Sequence, residues 1–523
     1  MSLGSIIEKN IPVFIQEPGN HGDEGYQFKS LQERFAFQYE HVFPDKMAAK
    51  TVVIIPSITL DQEILEKING VIHYEERLLC LLMLLRMPMT RVVYISSMPI
   101  DPIIVDYYLH LLPGITGYHA RQRLTLLSCF DSSAKSLTEK ILERPRLIER
   151  IKSHIGNKDC SHLACFNVTN AERSLALKLQ LPIYGCDPDL LYLGTKSTGR
   201  KLFRSAGIDL PAGYEDLFSE TEILNALATL KQTYPTINKA VVKINEGFSG
   251  EGNAIFNFTG APMNDTLYEW IKAAFPSRLQ IVAKQLSYQS FMDKIRQMGG
   301  VVEMFIDGQE KQSPSVQIRI TPLGAIEILS THDQLLDSES GQVFLGATFP
   351  AKIEYASEIG RQGMKVAEEL RSYGVLGRFS VDFISVKEQG VWKHYAIEIN
   401  LRKGGTTHPY LMLQFLTHGN YNHQNGKYYT LNGQERSYFC SDNIQKDNYK
   451  GLTPHDLIEI AMCNELLYDG ASQEGVMFHL ISTLSQYGKL GLVCIGATAE
   501  RAEAYYKQTL EVLDNEVNKL RGI

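Results

Sequence analysis

Residues 380–400 constrain this chain more than any other stretch. Two runs with strand character, 380–385 and 393–400, are joined through the turn pair Gln389-Gly390, which makes an antiparallel hairpin. Strand side chains repeat every second residue, so Glu398 and Asn400 share a face and Arg402 continues it, while Asp382 on the other arm can converge on the same point. An acidic pair alone is most often a solvated strand end. With an amide and a guanidinium beside it, the set matches what a magnesium nucleotide requires: oxygen ligands for a hard cation and a planar fork for phosphoryl oxygens.

The rest of the chain sets bounds. Its 523 residues exceed what one hydrophobic core serves and favour several packed units. The balance of 52 basic against 59 acidic residues gives a net charge of -7 without a dense Lys/Arg tract, which argues against a sequence-independent nucleic-acid binder. The longest apolar run, 78–85, is flanked by Arg77 and Arg86 and is too short to span a bilayer. Glu8 and Lys9 precede any long apolar core and no small-residue cleavage pattern follows, so the expectation is a cytoplasmic protein without a secretory signal. The 8 cysteines are too sparse for a disulfide framework. Cys160, His162 and Cys165 lack a second Cys/His pair at zinc-site spacing, and read as small buried thiols beside a surface histidine.

Along the chain, residues 51–56 and 91–96 read as strands around a helix-forming, almost uniformly apolar segment at 74–87. Further helices over 103–112 and 134–155, and a strand at 163–168 entering a capped helix, complete a doubly wound α/β domain. A second unit begins near Leu191: a helix over 196–206 stopped by Gly207, a helix over 221–233, and a strand at 240–244 running into a glycine loop. A helix near 266–275, strands at 301–306, 315–321 and 325–330, and a long helix over 353–373 precede the hairpin. Residues 419–450 form a polar excursion with a turn at Asn432-Gly433. Helices over 454–468, 475–486 and 499–515, with a strand at 490–495, make up the C-terminal module.

Nucleotide phosphates need cations and backbone N–H donors as well as metal ligands. Lys196 opens its helix, Lys243 ends its strand, and Gly247, Gly250 and Gly252 leave no Cβ between backbone and phosphate. The loop fits neither the Walker motif nor a Rossmann fingerprint, and taken alone reads equally well as a hairpin turn.

Over about 195 to 415 these motifs together resemble the ATP-grasp superfamily. Lys196 stands before a helix and a Gly-Ile-x-Leu-Pro turn, Lys243 precedes the glycine loop, 302–310 looks like the adenine hinge, and Glu398-x-Asn400-x-Arg402 looks like the metal motif. A closer resemblance, to the pheganomycin-type peptide ligases, covers nearly the whole chain through His73-Tyr74-Glu75-Glu76-Arg77, Glu143-Arg144-Pro145-Arg146, Ser313-Pro314-Ser315, Thr331-His332-Asp333-Gln334 and Gly475-Val476-Met477-Phe478-His479. Leu335-Leu336-Asp337 departs from the glycine pair expected after Gln334.

The resemblance implies an α/β multidomain protein: a pre-ATP-grasp domain over 1–190, a two-lobed ATP-grasp domain over 191–418 (lobes 191–302 and 303–418), and a mainly helical module over 419–523. It implies an ATP-dependent carboxylate–amine ligase that forms an amide through an acyl phosphate and releases ADP. Asp382, Glu398 and Asn400 would hold Mg2+, two ions or with Mn2+ as substitute. ATP would lie on Lys196, Lys243, Gly247, Ser249, Gly250, Gly252, Glu303, Met304, Phe305, Ile306 and Glu310, with Arg402 at the transferred phosphoryl and Arg378 and Arg319 as weaker candidates for the carboxylate. The loop 247–252 would be the lid, and His332 and Asp333 would orient the amine or form a bonded turn. Glu75, Glu76 and Arg77 read as an interdomain ion-pair cluster, His408 as shaping its loop, and His479 as a satisfied core histidine on an apolar helix. The partners expected are a carboxylate and an amine acceptor, such as an amino acid or peptide, and a homodimer is slightly favoured. A small-molecule kinase and a noncatalytic nucleotide-binding scaffold stand as alternatives.

Overall fold

The computed structural model describes residues 21–60, 65, 66, 68–247, 252–283, 286–337 and 344–521. Its first layer is a parallel sheet of β1 (Lys50–Ile55), β2 (Thr90–Ser96), β3 (Leu124–Ser128) and β4 (Ser161–Cys165), in the order β3-β2-β1-β4. Alternation splits these strands cleanly. Val52, Ile54, Val92 and Tyr94 enter one core, and Val53, Ile55, Val93 and Ile95 enter another on the opposite face. The apolar segment after β1 is a 3₁₀ helix, Val71–Arg86, buried continuously from Glu75 to Met83, which explains a sequence apolar nearly all round.

The second unit is an antiparallel sheet of β5 (Gly213–Leu217), β6 (Lys239–Ile244), β7 (Asn253–Asn257), β8 (Leu279–Ile281) and β9 (Gly300–Met304), ordered β5-β9-β6-β7-β8. Ala240, Val242 and Ile244 pack with Val302 in a separate core under the Glu220–Thr233 helix, so Val241 and Lys243 face the other way.

The third layer is a nine-stranded antiparallel sheet. It contains β10 (Lys311–Gln312), β11 (Pro314–Ile320), β12 (Ile326–Leu336), β13 (Phe344–Phe349), β14 (Gly377–Glu388) and β15 (Val391–Asn400). Past the small hairpin of β16 (Asn420–Asn422) and β17 (Lys427–Tyr429), it is extended by β18 (Ser437–Gln445), β19 (Gly475–His479) and β20 (Lys489–Gly496). The order runs β14-β11-β12-β13-β18-β20-β19, with β10 and β15 both paired to β14. One face receives the Ile353–Ser372 helix, whose Gly363 allows close approach: a Cβ there would lie 3.0 Å from Ile318 Cδ1. The same core takes in Leu78 to Leu85 apart from the half-buried Leu84, together with Val316, Val381, Val493 and Ile495.

Several expectations need correction. Residues 475–486 are not a helix but strand β19, a 3₁₀ turn at Ile481–Thr483 and the short helix Leu484–Tyr487. A strand buried on both faces and a buried helix have the same uniformly apolar composition, and here pairing to β20 decides. The helix at 454 ends at Cys463 rather than 468. The loop expected after the acidic motif contains a helix, Thr407–Thr417. Helices His21–His41 and Tyr288–Met298 were not read from the sequence. Among the described residues no helix is long and apolar enough to cross a membrane.

Candidate active site

The uncovered face of β11, β14 and β15 forms the floor. In register, Ser315 lies opposite Asp382, Gln317 opposite Ser380, and Arg319 opposite Arg378 on β11 and β14. Across β14 and β15, Asp382 lies opposite Glu398 and Ser380 opposite Asn400. The pairing slips after Asp382, with Phe383 meeting Ala396 and Ile397 left as the extra residue. That bulge lets Ala396 and Ile399 both reach the core while Glu398 and Asn400 keep their place over the floor.

Ser315 Oγ donates to Asp382 Oδ1 at 2.6 Å, Asn400 Nδ2 to Asp382 Oδ2 at 3.1 Å, and Arg402 Nη2 to Asn400 Oδ1 at 3.1 Å. Burial, reinforced by Glu398, pushes the Asp382 carboxyl up to about 6. Burial also works to raise Glu398, but Lys196, Lys243 and Arg402 outweigh it and leave that carboxyl below its usual range. The floor therefore carries one firmly ionised and one reluctant carboxylate. A hard divalent cation between them would relieve their repulsion, and the oxygen donor set of Asp382, Glu398 and Asn400 fits Mg2+.

The roof comes from the five-stranded sheet and the Lys196–Ser205 helix. Thr195 caps that helix, and Asn245 fixes its start by accepting from Lys196 N (3.2 Å, backbone) and Ser197 N (2.9 Å, side chain). Lys196 Nζ thereby sits 3.3 Å from Glu398 Oε1. Lys243 Nζ lies 2.6 Å from Glu303 Oε2, whose other oxygen is 2.6 Å from Arg200 Nη1. Burial alone would raise Glu303, yet Lys243 and Arg200 hold it below the usual range. At the base of the glycine loop, a Cβ on Gly247 would come 3.2 Å from Gly252 Cα and 3.7 Å from Lys196 Nζ. Ser249 and Gly250 lie outside the described residues.

Between floor and roof is a cavity of about 410 Å3. Lys196, Lys243, Glu303, Met304, Phe305, Ile306, Asp382, Glu398, Asn400 and Arg402 all line it. Two further expectations meet a different geometry. Glu310 does not line the cavity; its carboxylate is 3.5 Å from Lys387. Arg319 and Arg378 share the floor's face but lie farther along it, off the cavity, where Arg319 pairs with Glu327 and Gly377 abuts Gly185. In the segment expected to be the adenine hinge, the N–H groups of Met304 and Phe305 are taken by the carbonyls of Ala212 and Lys239, at 2.7 and 3.3 Å.

His332 and Asp333 are buried in β12, off the cavity. The histidine bonds Tyr438, and the aspartate accepts from Tyr355 Oη and from Lys352 N, at 2.9 Å for the latter. Gln334, next in the chain, does line the cavity, as does Leu336 of the Leu335-Leu336-Asp337 departure. Glu75 is held by Ser97 within the first domain, whereas Glu76 accepts from Ser482 N of the Ile481–Thr483 turn at 3.4 Å and Arg77 pairs with Asp442 of β18, both across to the C-terminal region. His479 is a strand residue, not a helical one, and neither of its ring nitrogens has a protein partner. His162 is buried between the rings of Phe35 and Phe43, not on the surface, and no cluster of three His, Cys, Asp or Glu that could hold a metal occurs among the described residues.

Sequence reasoning carried Tyr74 and Ser315 only within the motifs of the ligase resemblance, and missed Arg200, Lys311, Asp442 and Asn443 as neighbours of the site. Arg200 alone left a signal, four residues after Lys196 on the same helix face.

Residues 189–285 and 266–424 match the family described as IQCH-like, ATP-grasp, and residues 456–509 match the PGM1 C-terminal domain. The chain is 27% identical over 472 residues to an L-propargylglycine–L-glutamate ligase of Streptantibioticus cattleyicolor, covering 88% of this chain and 94% of that protein. It is 22% identical over 544 residues to IQ motif-containing protein H of Danio rerio, covering 94% of this chain and 50% of that longer protein. In fold it is similar to a biotin carboxylase of Campylobacter jejuni solved as a beta-gamma-ATP complex, with a TM-score of 0.52 at 13% identity over 89% of this chain and 91% of that one.

Proposed function

We propose that this ATP-grasp protein is an ADP-forming carboxylate–amine ligase. One observation carries the reading: two lysines from the roof, two carboxylates and an amide from the floor, and Arg402 at its edge all open into one cavity. Nucleotide phosphates and a carboxylate are the chemistry that this charge pattern matches.

The residues divide the work. Lys196 and Lys243 bind the α- and β-phosphates, exchanging part of their pairing with Glu398 and Glu303 for phosphate oxygens. Asp382, Glu398 and Asn400 would hold magnesium, which supplies charge neutralisation as the γ-phosphoryl moves. Arg402, fixed by Asn400, orients the phosphoryl group and the carboxylate beside it. A carboxylate oxygen attacks the γ-phosphorus as its bond to the β-phosphate oxygen breaks, releasing ADP. An amine nitrogen then attacks the acyl carbon, phosphate leaves, and the nitrogen loses its proton as the amide forms. Gly247 and Gly252, pinched together beside Lys196, leave no Cβ between their backbone and a phosphate on that lysine.

The named substrates of the Streptantibioticus ligase make amino acids the first panel to test on both sides of the reaction. The test is ADP release with magnesium in the presence of carboxylates alone, amines alone and pairs, with mass detection. ADP and an amide product only when both partners are present is the expected result. ADP with a phosphorylated hydroxyl compound and no amine requirement would replace the ligase with a kinase. Tight ATP binding without turnover on any pair would leave a nucleotide-binding scaffold.

A further inference from the structure

The cavity extends past Arg402 to a charged pair that nucleotide chemistry does not use. Arg77, on the buried 3₁₀ helix of the first domain, contacts Asp442 of β18, and both side chains line the cavity while being less than a tenth exposed. Each is held for the purpose. The guanidinium lies 4.4 Å over the Tyr74 ring, whose hydroxyl accepts from Lys489 Nζ at 2.5 Å. Asp442 and Asn443 sit where the β18–β20 pairing slips between Ser441 and Ile444, a bulge that re-aims side chains out of the ladder. Arg77 Nε is buried with no partner.

A buried ion pair is a poor source of stability, because desolvation consumes most of the attraction. Breaking one with a singly charged ligand is worse, since one of the two groups is left buried and unpaired. His408 and His479 stack edge to face at 4.3 Å in the same neighbourhood, and burial holds both imidazoles neutral, His479 at about 3. A ligand that separates Arg77 from Asp442 without an energetic penalty must therefore bring one negative and one positive group together.

We infer that Arg77 and Asp442 are a specificity-determining clamp for a free α-amino acid, Arg77 taking its α-carboxylate and Asp442 its α-ammonium. This rests on the ligase reading and deepens it. An amino acid held by both α groups can react only through its side chain, so the carboxylate it presents toward Arg402 is a side-chain carboxylate and the substrate is an acidic amino acid. N-blocked amino acids, simple dicarboxylates and polyamines each lack one of the two charges that the clamp exchanges.

Calorimetric titration of the full chain, with ADP and magnesium present, separates the alternatives using four probes: L-glutamate, N-acetyl-L-glutamate, L-glutamate α-amide and glutarate. L-glutamate is expected to bind at least about tenfold more tightly than the other three, as the loss of a charged hydrogen bond dictates. In Arg77→Met/Asp442→Leu, which removes both charges and leaves no lone buried ion, that preference is expected to collapse while ADP affinity stays unchanged. Equal binding of glutarate or N-acetyl-L-glutamate, or a preference that survives in the double variant, would reduce the pair to an interdomain tie. Absence of binding by all four probes, with ADP release still observed on other amino-acid pairs, overturns the clamp but not the ligase. Loss of nucleotide binding in the unaltered protein would remove the ligase reading itself.

Discussion

Asp382→Asn tests the electrostatics of the floor directly. Burial and the facing Glu398 raise the Asp382 carboxyl to about 6, against about 3.9 for an unperturbed aspartate. The folded protein thus holds this proton more tightly than the unfolded chain. Its contribution to stability is full at low pH and is lost as pH climbs from the unfolded value through the folded one, leaving an ionised, repelled carboxylate above. Two pKa units correspond to ~3 kcal/mol, and solvent reaching the cavity trims this to ~2 kcal/mol. Asparagine keeps the shape, carries no charge and can still accept from Ser315 Oγ, while its NH2 group cannot accept the Asn400 Nδ2 bond, a loss of about 1 kcal/mol that is the same at every pH. Urea unfolding of nucleotide-free, chelator-treated protein is the assay. The stability of the variant relative to wild type is expected to rise by ~2 kcal/mol between pH 4 and pH 7.5, while it releases no ADP. A difference that does not grow with pH would refute the reasoning that Asp382 and Glu398 are a strained like-charge pair.

Lys243→Met is expected to abolish turnover and to cost about 1.5–3 kcal/mol of stability, because Glu303 keeps Arg200 but loses its second cation; parallel ADP-release and unfolding curves check both. Arg402→Ala should lower the rate of amide formation far more than nucleotide affinity, and equal losses by calorimetry and kinetics would make it a structural residue. Arg319→Gln should leave the Michaelis constants for ATP and both substrates within about twofold, since its pairing lies off the cavity. Gly491→Ala would place a Cβ 2.2 Å from His479 Nε2 and should destabilise the fold by about 1–3 kcal/mol with no change in nucleotide affinity, read by thermal unfolding.

The division between what sequence and structure decide follows the range of the forces involved. Capping, strand alternation and turn chemistry act over a few residues. They placed the Lys196 helix, the β6 strand with Lys243 near its end and the β14–β15 hairpin with Asp382, Glu398 and Asn400 on one side, and the order of those motifs along the chain pointed to the ATP-grasp fold. They could not resolve residues 475–486, where burial on every side erases the period that separates strand from helix. Nor could they see that β18, β20 and β19 extend the grasp sheet, that Arg319 and Arg378 lie beyond the cavity, or that Arg77 meets Asp442 across 365 positions of chain. Those facts depend on which surfaces close against each other, and a contact between distant residues leaves no trace in the local pattern of either. The sequence determined which chemical groups the chain carries and on which side of each strand they stand; the packing of three layers around one cavity decided which of them face a common ligand.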